Sequence, residues 1–203
     1  MSAPRRVGSE TSKTRGLLVD VAEQIMVEDG FAAVTSRRVA SRAGVNAALV
    51  HYYFPTIEDL FLAVCRRRYD RAAHNLDKVF ETSAQPLWAL WDLSCEGWGP
   101  VLGAEIIALA HHRKEISAEL SRAAGELRQR HIEAVSKVWA GHQRSRPELN
   151  ATAFVVLVMA VAHFTVQEKV LGLTIGHADI GALVETYIEE IEGPRSSRSR
   201  TTP

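Results

Sequence analysis

Thr35, Arg37, Arg38, Asn46, Ala47, Ala48, His51 and Tyr52 lie in one short stretch of the 203-residue chain, and their types suit nucleic acid. The guanidinium groups of Arg37 and Arg38 match phosphate oxygens in shape and charge. The His51 imidazole and Tyr52 phenol can hydrogen-bond base edges or phosphates. Ala47 and Ala48 are small enough to let a backbone approach base edges and thymine methyls. This chemistry is recognition, with no bond made or broken.

Two short helices joined by a tight turn would position these groups. Thr35 can cap the first through its hydroxyl. Val39, Ala40 and Ala43 then fall on one face at helical spacing. Gly44 tolerates the left-handed conformation that ends a helix, Val45 fills the corner, and Asn46 caps the second helix. In that helix Leu49, Val50 and Tyr53 point inward, while Ala47, Ala48, His51 and Tyr52 share the other face. The pattern predicts a helix-turn-helix over 35–54.

The run from Gly30 to Phe61, GFAAVTSRRVASRAGVNAALVHYYFPTIEDLF, resembles the DNA-binding signature of the tetracycline-repressor (TetR) family. The matching positions are Gly30-Phe31, Thr35, Val39-Ala40, Ala43-Gly44-Val45, Tyr52-Tyr53-Phe54, Glu58-Asp59 and Leu60. Two positions depart from it. His51 stands where the family usually has tyrosine, and Ile57 where it usually has a phosphate-contacting lysine. The second departure removes one backbone contact and implies weaker non-specific binding. The resemblance implies an all-α fold with an N-terminal three-helix DNA-binding domain and a C-terminal helical ligand-binding and dimerisation domain.

The rest of the chain supports that division. The sequence is 46% hydrophobic, enough for a substantial core, and its formal net charge is zero. A neutral total argues against a protein coated for nucleic acid, so the DNA reading rests on the motif. Cys65 and Cys95 lack metal spacing and fit reduced thiols. No signal peptide opens the chain, and the longest apolar stretch, Phe154 to Phe164, reads as too short to span a membrane. A cytoplasmic protein is expected. Residues 1–11 read as a polar tail in which Arg5 and Arg6 could reach DNA. A first helix is expected from Ser12 to Asp29, burying Leu18, Val21, Ala22, Ile25 and Met26.

A fourth helix starts after Pro55, with Thr56 and Asp59 resembling a capping box. It carries Arg66-Arg67-Arg68, which read as a solvated face, with a domain-interface ion pair or a position near DNA as the alternatives. The expected domains are 12–72 for the DNA-binding head, 73–193 for the regulatory part and 194–203 for a disordered tail. His131, His142 and His177 read as surface residues.

The helices around 151–171 and 179–192 are more apolar than the edge of a small bundle requires, so a helix–helix interface between two copies is expected. Phe154, Val158, Met159, Ala162, Val166, Leu183 and Tyr187 are its candidates, and the TetR resemblance implies the same homodimer. Two heads on a two-fold axis would read a palindromic double-stranded DNA operator with half-sites about one turn (~34 Å) apart or more.

The resemblance also implies a small-molecule effector pocket, with Trp88, Trp91, Trp98, Ile107, His111, Trp139 and Phe164 as candidate lining and Glu168 as a polar handle. Aromatic residues at such spacing also fit plain core. His111 and Glu115 are four apart, yet no third ligand lies near them, so neither a metal nor a cofactor is expected. No phosphate loop, nucleophile elbow or paired carboxylate frame points to an enzyme. The expected function is a homodimeric repressor released from its operator by a hydrophobic or aromatic ligand. The alternatives are a ligand-independent activator or general DNA binder, and a helical binding or enzyme module with a vestigial helix-turn-helix.

Overall fold

The computed structural model describes residues 13–96, 99–140 and 149–196, and every regular element among them is helical. The helices are α1 (Lys13–Asp29), α2 (Ser36–Ala43), α3 (Ala47–Tyr53), α4 (Ile57–Thr82), α5 (Pro86–Glu96), α6 (Pro100–His112), α7 (Lys114–Ala140), α8 (Ala151–Val170) and α9 (His177–Glu192), with a 3-10 turn at Phe31–Ala33. Arg5, Arg6, Trp98 and His142 lie outside the described residues.

Packing divides the chain into two units, with breaks inside α4 after Asp70 and inside α7 after Ala123. The first unit joins residues up to 70 with 101–123. A contiguous division at 72/73 was expected, so the placement of 101–123 differs from that reading. The physical reason is burial. Ile106, Leu109 and Ala110 of α6, with Ile116 of α7, enter the same apolar core as Leu18, Ile25, Met26, Val39, Val50, Phe54, Leu60 and Val64. The head is therefore larger than three helices and a cap.

The arginine run is used inside this unit. Arg66 pairs with Glu119 of α7 at 2.8 Å. Arg67 reaches Asp20 at 2.7 Å and Glu23 at 2.6 Å on α1, and donates to the Gly16 carbonyl. The Arg68 guanidinium lies so near α6 that a Cβ built on Gly103 would meet its Nη2 at 3.0 Å. Successive arginines thus tie α4 to α7, α1 and α6, and the solvated-face reading gives way to ion pairing and close packing. Ile57 is half-buried against the core, which explains an apolar residue there.

In the second unit α5 packs on α8 and α9, and those two pack on each other. Its core includes Leu76, Leu87, Trp88, Leu90, Trp91, Val135, Trp139, Phe154, Val158, Val184 and Ile188. The Glu192 carboxylate accepts the Leu87 N–H at 2.9 Å and the Trp88 N–H at 3.2 Å, satisfying free donors at the start of α5. Residues 194–196, expected in a disordered tail, are bonded. Arg195 pairs with Asp92 at 2.9 Å and stacks over Trp88, and the Ser196 N–H donates to Gln85. By length and composition α8 could cross a membrane, which corrects the expectation that this stretch is too short. Its Phe154, Val155, Val158 and Ala162 are buried within the unit.

Two histidines expected on the surface are not there. His131 is buried, its Nδ1 lies 2.8 Å from the Leu127 carbonyl oxygen, and burial lowers its pKa. His177 is largely covered and pairs with Glu168 at 2.8 Å.

Candidate nucleic-acid interface

The helix-turn-helix is held by local bonds that the sequence encodes. The Thr35 hydroxyl accepts the Arg38 N–H at 3.2 Å at the start of α2. At its end Gly44 adopts φ 67°, and the Val45 N–H reaches back to the Ala40 carbonyl at 3.0 Å. That is a Schellman closure, with Val45 folded onto the core as its apolar partner. Asn46 Oδ1 accepts the Leu49 N–H at 2.8 Å and opens α3. Beyond α3, Thr56 and Asp59 exchange side-chain-to-backbone bonds at 2.9 and 3.1 Å, a capping box with aspartate as the acid.

These closures fix which face of α3 is free. Val50 is buried, whereas Ala48, His51 and Tyr52 are exposed and Ala47 is half-exposed. Tyr52 is 48% exposed and meets Tyr53 edge-on, the ring centroids 5.1 Å apart. Each of the expected DNA-contacting residues of α3 therefore lies at or near the surface. Thr35 and Asn46 are already engaged as caps through one oxygen each.

On α2, Arg37, Arg38 and Arg42 are exposed. Arg38 is paired with Asp29 at 2.5 Å. Arg42 grips Glu28 through two bonds of 2.5 and 2.7 Å. The Arg42 guanidinium holds the Glu28 carboxyl below the usual carboxylate range. Arg42 shares the exposed surface of α2 with Arg37 and Arg38 and was not singled out from the sequence, although its spacing from Arg38 could have found it. Two cations facing the candidate DNA surface thus start with acidic partners at the end of α1.

The candidate effector residues are distributed differently from the expectation. Ile107 and His111 belong to the first unit and are exposed, whereas Trp88, Trp91, Trp139, Phe164 and Glu168 belong to the second. Phe164 is 60% exposed. Trp88 donates its indole N–H to the Gly193 carbonyl at 3.0 Å, and Trp91 donates to Glu185 at 3.2 Å. Trp139 packs on Phe154, their centroids 5.1 Å apart. Burial pushes the thiols of Cys65 and Cys95 up to about 11, so both stay protonated near neutrality.

The candidate dimer residues divide as well. Phe154, Val158 and Ala162 face the core of their own unit, Met159, Val166 and Tyr187 are half-buried, and Leu183 is exposed. Because α8 is apolar on every side, hydrophobic spacing alone did not say which face is inside. The outer face carries Val156, Ala160 and Phe164 instead.

A capped helix-turn-helix with an exposed, small-and-polar second helix stands among elements that are all helical in the described residues, a geometry suited to nucleic acid. Residues 18–64 match the model of the bacterial regulatory proteins of the tetR family. It is 33% identical over 81 residues to the HTH-type transcriptional regulator BetI of Rhizobium meliloti (strain 1021), covering 40% of this chain and 39% of that protein. It is 25% identical over 135 residues to the HTH-type transcriptional repressor KstR2 of Mycobacterium tuberculosis, covering 65% and 64%. The matches thus span 39% and 64% of these relatives' lengths. A transcriptional regulator from Saccharomonospora viridis, solved in complex with choline, shares the fold with a TM-score of 0.68 at 19% identity, over 87% of this chain and 96% of that one.

Proposed function

We propose that this chain is a sequence-specific, DNA-binding transcriptional regulator of the repressor kind. The observation that carries the reading is the outward face of α3, where Ala48, His51 and Tyr52 stand on a helix whose ends are locked by Gly44 and Asn46. In this reading α3 enters the major groove. His51 and Tyr52 read base edges, and Arg37 and Arg38 hold phosphates on either side. Thr35, Asn46 and Ala47 allow close approach of the α2 and α3 N-termini to the backbone. The names of the relatives, a regulator and a repressor, support the same reading.

The protein acts in the cytoplasm as a homodimer on a palindromic operator. The exposed apolar residues Val156, Ala160, Phe164 and Val170 of α8, Leu183 of α9, and Leu171, Leu173 and Ile175 between the two helices support pairing of two copies through this part of the chain. A small apolar or aromatic effector releases the DNA by favouring a state with another head spacing. The choline complex of the Saccharomonospora viridis protein supports a small-molecule effector in general. Since Trp88 and Trp91 already use their indole N–H groups, such a ligand would meet ring faces and edges instead.

Selection from a random double-stranded DNA pool at about physiological salt tests this reading, because non-specific binding is weak there. The expected result is an enriched palindrome, and His51→Ala should relax base preference at one position of each half-site. A folded protein that enriches no sequence would overturn the reading.

A further inference from the structure

One long-range contact in the first unit reaches the entry of the helix-turn-helix. The Glu105 carboxylate of α6 accepts the backbone N–H of Phe31 at 2.6 Å, across 74 residues of sequence. Charge-assisted bonds of this length are among the stronger ones a backbone amide makes. The preceding residue, Gly30, has φ 81° and ψ 164°, a conformation essentially confined to glycine. That conformation turns the Phe31 N–H toward α6. It also leaves room for the acid, because a Cβ on Gly30 would lie 3.3 Å from Glu105 Oε2.

The height of Glu105 on α6 is fixed from both sides. Gly103, two residues earlier, lies against the Arg68 guanidinium, where a Cβ would meet Nη2 at 3.0 Å. Ile106, Leu109 and Ala110 are buried in the shared core. Glu105 is therefore a carboxylate on a fixed rod, aimed at the turn from which α2 and α3 are hung. The Phe31–Ala33 turn leads directly through Val34 into the Thr35 cap of α2.

We propose that Glu105 is a positioning residue for DNA recognition, holding the Gly30–Phe31 turn so that α2 and α3 keep their DNA-competent setting against α6. The inference rests on the DNA-binding reading above. It makes a prediction that plain electrostatics reverses. An acid near DNA should repel phosphate, so removing it in any way would tighten binding if charge alone mattered. A positioning role instead predicts that loss of the acceptor weakens binding and that a neutral acceptor restores it.

The test compares wild type, Glu105→Ala and Glu105→Gln for affinity to the selected palindrome, with amide hydrogen exchange at Phe31 as a second readout. Glu105→Ala should bind about tenfold more weakly, equivalent to 1.4 kcal/mol, and lose protection at the Phe31 amide. Glu105→Gln should stay within about threefold and keep most of that protection. Unchanged or tighter binding by Glu105→Ala, or an equal loss in Glu105→Gln, overturns the proposal. If wild type itself enriches no sequence, the DNA-binding reading fails and this one with it. Enrichment by wild type with an unaffected Glu105→Ala overturns this inference alone.

Discussion

At the scale of the residue, the arginines proposed to hold phosphate do not begin free. Arg38 must leave Asp29 before it can hold a phosphate, and Arg42 must leave Glu28. Both pairs are exposed, so each is weak and salt-screened, and exchange for phosphate is accessible. Arg38→Ala should therefore weaken binding to all sequences about equally and reduce the salt slope by about one. Asp29→Asn should act in the opposite direction, raising affinity a few-fold (roughly 2–5) at low salt, because Arg38 then has no competing acid. Titrations at several salt concentrations check both. Equal affinities for Asp29→Asn and wild type across the series would mean that Arg38 does not contact phosphate, or that its pair with Asp29 has no influence.

At the scale of the element, the helix-turn-helix owes its shape to closures that also carry stability. Asn46→Ala removes the acceptor for the Leu49 N–H and should cost about 1 kcal/mol, read as a lower thermal midpoint. A midpoint within error of wild type would show that α3 is held by Val50 burial alone. These closures were legible in the sequence because they are local: Thr35, Gly44, Asn46 and Thr56 act within a few residues of themselves, and each has a residue type that its backbone position demands. The inward stripe of α1 was equally readable, since Leu18, Val21, Ala22, Ile25 and Met26 repeat at helical spacing and all are buried. What was not legible depends on distance or on uniformity. Nothing near Glu105 announces a bond to Phe31, and nothing near 101–123 says that this segment joins the first core. The α8 helix is apolar all round, so its pattern could not choose between Phe154 inside and Phe164 outside.

The same blindness explains His131, read as a surface residue and found buried in the second unit. Its pKa is lowered, chiefly by burial. The unfolded chain then binds the extra proton at a higher pH than the folded one does. His131 imposes no penalty above the unfolded value near 6.5, and stability falls as pH drops from there toward the lowered folded value. Denaturant unfolding at pH 7.5 and pH 5.5 should show that loss. His131→Gln should remove part of the pH dependence, even if it lowers stability at both pH values. A pH dependence identical in the two proteins would mean that His131 does not contribute it.

At the scale of the whole molecule, the DNA-binding reading calls for a second copy. One short recognition helix contacts only a few base pairs, so tight, selective binding calls for two heads on one operator. The proposed pairing surface carries Phe164 at 60% exposure, Leu183 at 47% and Val156 at 43%, large apolar groups that water solvates poorly. If two copies bury this surface, a carboxylate placed in it must be desolvated, and in a two-fold interface it occurs twice. The double variant Phe164→Glu/Leu183→Glu should therefore raise the dimer dissociation constant about a thousandfold or more. Both side chains lie outside the core, so the fold should survive, as circular dichroism would report. Sedimentation of wild type and variant at micromolar concentration checks the oligomeric state, and a titration with the selected palindrome checks the consequence. A monomeric variant should still recognise a half-site, weakly and with roughly half the salt slope, since each copy brings one set of phosphate contacts. A variant that sediments as wild type does would exclude this face as the interface. A monomeric variant with full palindrome affinity would mean instead that dimerisation through this face is not what supplies selectivity.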